Sequence, residues 1–133
     1  MRERHLYDYA VIRVVPRPER GEFVNAGVLL SCPTLRYLDA GIALEASRLQ
    51  ALCPDVDLDL VREHLAAIPL ICAGGAAAGP IGRLTQRERF QWLAAARSTM
   101  IQASPIHTGR CSDPPAALAR LVDTLVRCPE RRV

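Results

Sequence analysis

Lysine is missing from this sequence altogether: all 17 basic residues are arginine. That absence excludes a GxxxxGK(S/T) phosphate loop, whose lysine reaches the β- and γ-phosphates. Arginine is the better fork for phosphate and carboxylate, but arginine alone does not mark a nucleic-acid binder. Arginine, alanine, glycine and proline share GC-rich codons, and all four abound here. A formal net charge of +3 is too small for the electrostatic footprint of a DNA- or RNA-binding domain. Aromatic residues are scarce, at 5%, and no helix-turn-helix pattern is evident, so a nucleic-acid-binding, antitoxin-like module is the weakest of the functional expectations. No apolar run reaches the ~18 residues of a membrane span. The charged start, Arg2-Glu3-Arg4, leads into Tyr7-Asp8-Tyr9 and not into an apolar block, which argues against a signal peptide. Cys32, Cys53, Cys72, Cys111 and Cys128 contain no CxxC spacing, which excludes zinc-ribbon and thioredoxin-type motifs. An odd, scattered set reads as reduced thiols packed as small hydrophobes, and the cytoplasm is the expected compartment.

Further signatures are absent. GxGxxG, GxSxG and HExxH do not occur. His5, His64 and His107 lie far apart, and His64 reads as a solvated helix residue. Asp55, Asp57 and Asp59 alternate like a calcium loop but lack its glycine and terminal glutamate, so they read as helix caps. No metal and no cofactor is expected.

What is present describes a single domain over residues 1–133. Residues 7–15 are β-branched and aromatic and end at Pro16, the pattern of a strand with two apolar faces. PRPERGE (16–22) is a turn. Residues 23–32 form a second strand, where Asn25 and Gly27 suggest a bulge or a close backbone approach. Residues 37–45 form a third. A short helix follows from Glu45 to Pro54, then a helix near 57–68, capped by Asp55 or Asp57. The glycine-rich run 72–82 reads as a loop or linker. Thr85 and Glu88 fit a capping box opening a helix that reaches about Arg97. Residues 99–107 read as a fourth strand, 107–114 as a loop, and 115–127 as a last helix capped by Asp113. This order predicts an α+β fold: an antiparallel sheet of about four strands, a three-strand meander plus one late strand, with three to four helices packed on it. Trp92 is expected in the core.

Two segments offer chemistry. The first is Arg13, Arg17, Arg20, Glu22 and Asn25 on the first hairpin. An arginine within a strand needs an anion or a paired carboxylate if it is buried. Arg13 is therefore either a clamp for phosphate or carboxylate or the partner of Glu22 across the hairpin. The second is Arg97-Ser98, with Gln102, Ser104 and His107 on the strand that follows. Arg97 suits a helix C-terminus or an anion. His107 has the titration range of a general base, or is a structural histidine held by the loop after it. If the fourth strand pairs with the first, the two segments share a cleft.

The same residues carry a family resemblance. YDYAVIRVVPRPERGEFVNAGVLL (7–30) resembles the opening of a bacterial domain-of-unknown-function family, numbered 3037. Its members read Y-x-x-x-x-R-x-x-P and then R-x-E-x-x-N-x-G-V-x-L. Here these are Arg13, Pro16, Arg20, Glu22, Asn25, Gly27 and Val28, with Tyr7 or Tyr9 at the tyrosine position on a looser spacing. AARSTMIQASPIHTGRCSDP (95–114) resembles the family's second block, an arginine-serine pair followed by a strand and an aspartate-proline. The likeness spans roughly residues 7–128. It implies no agreed activity. It does imply small stand-alone proteins whose genes often neighbour one for a HipA-like, kinase-fold protein.

The leading expectation is thus an accessory subunit binding a HipA-like kinase-fold protein, with 72–82 and exposed arginines as contact surface. The alternative is an enzyme acting on a phosphate- or carboxylate-bearing small molecule or RNA end. There Arg13, Arg20 and Arg97 would hold the anion, Glu22 or His107 would move protons, and Asn25, Gly27 and Ser98 would shape the site.

Overall fold

A computed structural model describes residues 3–95 and 100–127. The long apolar strand read from the sequence, β1 (His5–Val14), lies inside the sheet and has neighbours on both sides. β2 (Val24–Cys32) pairs antiparallel with β1, and β3 (Tyr37–Ile42) pairs antiparallel with β2, giving the expected meander. The other side of β1 is shared by two short strands. β4 (Ile101–Ala103) lies beside Ile12–Val14, and β5 (His107–Cys111) lies beside His5–Tyr9. The sheet therefore has five strands, all antiparallel, in an α+β fold.

The single late strand expected over 99–107 is thus two strands. Pro105 has no N–H to offer a ladder, and the pairing breaks across Ser104–Ile106. Buried Ser104 bridges the gap. Its backbone N–H donates to the Val11 carbonyl at 2.8 Å, and its Oγ accepts from the Val11 N–H at 2.8 Å. HTGRC, read from the sequence as a loop, is strand β5. A glycine and three exposed polar side chains hide its strand character, since only Cys111 at its end is buried.

Four α-helices follow their sequence signals closely: α1 (Ala46–Leu52), α2 (Leu58–Ala73), α3 (Gln86–Ala94) and α4 (Pro114–Leu125). Asp57 caps α2 by accepting from the Leu60 N–H, and Asp113 caps α4 by accepting from the Ala116 N–H. Thr85 and Glu88 form a complete capping box on α3. α2 runs on past Ile68, through Pro69, because Ile68 and Cys72 continue its buried stripe and Arg89 completes its last turn. The segment 72–82 is accordingly not an open linker. Its first two residues belong to α2, and Ala76–Arg83 forms 3₁₀ turns kinked at Gly79. The turns are closed by a hydrogen bond from the Gly75 N–H to the Gly82 carbonyl. α3 stops at Ala94, short of Arg97, because Ala95 is already extended.

Helices cover both faces of the sheet. On one face Ile12, Val14, Leu29 and Ala40 meet Leu49 of α1, Val61 and Leu65 of α2, and Phe90 of α3. On the other, Tyr7, Val28, Leu30 and Cys32 meet Ala117, Leu118 and Val122 of α4. Burial from both sides is why β1 shows no polar face. α4 packs over β2 and β3. Among the described residues, no single helix is long and apolar enough to cross a membrane.

Candidate functional site

The site begins with an irregularity in the sheet. Ile12 is opposite Gly27 but Arg13 is opposite Asn25, so Ala26 is an extra, unpaired residue. Such a bulge changes which side chain faces the neighbouring strand. Ala26 turns into the core with Val24, and Asn25 turns to the α4 face beside Arg13. Gly27 serves the same turn of the chain: a Cβ there would lie 2.6 Å from the Gly41 carbonyl oxygen of β3. Both sequence expectations for Asn25 and Gly27, a bulge and a close backbone approach, occur together.

On its other side Arg13 is paired with Gln102 of β4. One strand row across the sheet therefore reads Asn25, Arg13, Gln102, an arginine between two amides. The Asn25 Nδ2 donates to the Leu125 carbonyl at 3.1 Å, tying the end of α4 to the bulge. Phe23, 44% exposed, lies with its ring centroid 4.1 Å from the Arg13 guanidinium carbon. Such stacking holds the cation without neutralising it. The ion pair between Arg13 and Glu22, the plain structural alternative, is not formed: Glu22 is engaged by Arg20 at 2.5 Å. Arg13 has no salt bridge among the described residues. Its Nε and the Asn25 Oδ1 are enclosed and lack hydrogen-bond partners. Arg13 therefore does not take Glu22 as its partner, and among the described residues no carboxylate pairs with its guanidinium.

The remaining candidates divide. Arg20 and Glu22 are exposed and serve each other. The carboxylate raises the arginine's pKa first by its hydrogen bond and then by its charge. With Arg17, Cys53 and Asp55 they line a cleft between the first hairpin and the α1–α2 junction. There the Asp55 carboxyl is held below its usual range, chiefly by the Cys53 thiol, which donates to it at 3.2 Å. His107 is opposite Tyr9, with ring centroids 5.3 Å apart. It shares a sheet face with Arg13 but is four residues away along β1, about 13 Å at strand rise. It is exposed and sits in a strand, not in a structured loop. Ser104 is a structural bridge, as described above. Arg97 and Ser98 lie outside the described residues. Asp8 on β1 accepts from the Thr108 hydroxyl at 2.8 Å.

Two contributors were not singled out in the sequence. Phe23 looked like the first residue of a strand, and only its stacking reveals it as part of the Arg13 environment. Arg89 looked like one of several arginines in α3. It donates to the Ile71, Cys72 and Leu84 carbonyls and so closes the last turn of α2. Trp92, expected in the core, is half-buried at the mouth of an apolar cleft with His64, Ile68 and Met100. Cys32, Cys53, Cys72 and Cys111 are buried free thiols. Among the described residues, no group of three histidine, cysteine, aspartate or glutamate side chains could hold a metal ion.

No curated protein and no solved structure matches the chain. A family model does, over residues 9–126, a span that includes Arg13, the bulge, Gln102 and His107. The chain belongs to the family described as "Protein of unknown function (DUF3037)".

Proposed function

We propose that this domain works by binding, as a companion subunit of a HipA-like kinase-fold protein. The observation that carries the reading is the distance of His107 from Arg13 together with the engagement of Glu22 by Arg20. Glu22 is occupied by Arg20, and His107 lies about 13 Å along the sheet from Arg13. A general base needs to be within hydrogen-bond reach of its target, so these groups do not make one reacting centre. The surface supports contact instead. Leu6 of β1 is 54% exposed and Ile106, just before β5, is 50% exposed. Both flank the β1–β5 ladder, and solvent-facing apolar side chains beside a ladder are where a protein partner would seat. Co-expression with a HipA-like kinase-fold protein of the same organism tests the proposal. The expected result is a stoichiometric complex on size-exclusion chromatography and an activity that neither protein has alone. Separate elution at micromolar concentration would refute it.

One observation favours a second reading, an enzyme acting on a phosphate- or carboxylate-bearing small molecule or RNA end. Arg17, Arg20 and Glu22 do face a common cleft. Turnover by the purified domain, abolished in Glu22→Gln, is the result that would support this reading over the first.

A further inference from the structure

We infer that Arg13 is a receptor for a carboxylate supplied from outside the domain. The inference goes beyond the companion reading and does not depend on the identity of any protein partner.

A half-buried guanidinium is normally neutralised by a carboxylate of its own chain, because removing an unpaired charge from water is costly. Here the sheet holds Arg13 in the opposite condition. The bulge at Ala26 places a neutral amide, Asn25, on one flank, and β4 places another, Gln102, on the other. Phe23 covers one face of the guanidinium. Glu22, the acidic residue of the hairpin expected to pair with Arg13, is engaged by Arg20 instead. The enclosed Nε has no acceptor, and the adjacent enclosed Asn25 Oδ1 has no donor. The fold thus fixes the plane and position of the cation with an aromatic ring and the sheet, and leaves its charge to be met by a ligand.

The chemistry of the surroundings selects the ligand class. With Nε enclosed, the edge left to a ligand is the Nη1–Nη2 pair, whose two N–H groups a planar carboxylate matches. A phosphate dianion carries a second charge, which neither flanking amide offsets. Two sources present a carboxylate: a free small acid, and an acidic side chain of a peptide segment.

The test is the Arg13 side-chain Nε–H signal in ¹H–¹⁵N spectra of the whole domain, identified by its loss in Arg13→Gln. Succinate, a short glutamate-containing peptide and inorganic phosphate are titrated separately at matched ionic strength. The expected result is a saturable shift with succinate or the peptide, with phosphate about tenfold weaker or more. Stronger response to succinate assigns a small acid, and stronger response to the peptide assigns a protein segment. Saturable binding should vanish in Arg13→Gln, weaken several-fold in Phe23→Leu, and persist in Arg62→Ala on α2. If Arg13→Gln fails to fold, the Phe23→Leu comparison decides. Absence of a saturable shift with either carboxylate, equal binding in Phe23→Leu, or preference for phosphate overturns the inference.

Discussion

At the scale of single residues, the close approach at Gly27 makes the sharpest demand. Its Cβ position is 2.6 Å from the backbone oxygen of Gly41 and 3.0 Å from the Ile42 Cδ1. A backbone oxygen in a paired strand cannot swing away, so an added methyl must push β2 and β3 apart. Gly27→Ala is expected to cost about 1–3 kcal/mol, as overpacked cores do, read as a lowered midpoint in urea unfolding. Gly21 provides the contrast. It has open space around its Cβ position but sits at φ +70° as the C-cap of the turn before β2. Gly21→Ala is a conformational cost only, about 1 kcal/mol, and should leave β2–β3 amide protection intact. The sequence announced Gly27 as either a bulge or a close approach because glycine inside a strand has few other reasons. It could not announce that Phe23 stacks on Arg13, because stacking is set by the path of the chain after the turn and not by spacing.

At the scale of elements, what was legible followed from local chemistry. Asp57, Thr85–Glu88 and Asp113 cap helices where they were expected to, because a cap is decided within four residues. The late strand was misread for a non-local reason. Residues 107–111 carry almost no buried side chain, and they are strand because β1 offers them a ladder. The 72–82 run was likewise read as open chain because its own side chains are too small to organise it. Its order comes from Arg89, eighteen residues beyond Ile71, whose guanidinium gathers three carbonyls around the end of α2. Hydrogen bonds from a charged donor contribute about 1.5–3 kcal/mol each when buried, less at a half-buried site. Arg89→Ala is expected to lower stability by roughly that single-bond range and to remove amide protection over 72–84 while sparing α4. Arg89→Lys should not restore the protection, since an ammonium cannot reproduce the fork. A uniform loss across the molecule would instead mean that α2 and α4 open together.

At the scale of the whole molecule, the missing lysines and the two-sided core combine in a pH dependence. Arginine stays protonated throughout the alkaline range, and no lysine titrates there, so tyrosine and cysteine dominate it. Cys72, packed between α2 and the sheet, is pushed from an ordinary 9.0 up to about 12, by burial first and by Asp39 second. Tyr37, at the start of β3, rises from 10.0 to about 12, again by burial first and Asp39 second. Burial also raises the Cys111 thiol. In each case the folded state keeps a neutral group that the unfolded chain ionises at lower pH. Their contribution to stability is therefore complete below about pH 9 and is lost progressively as pH rises toward 12. Thermal melting under reducing conditions should show a flat midpoint from neutrality to about pH 8.5 and a falling one from there to about pH 11. Tyr37→Phe keeps the ring and removes one ionisation, so its midpoint should fall less steeply over the upper part of that window. A wild-type midpoint unchanged to pH 11 would mean that these groups ionise in place and that the sheet and its helices accommodate the charge without opening.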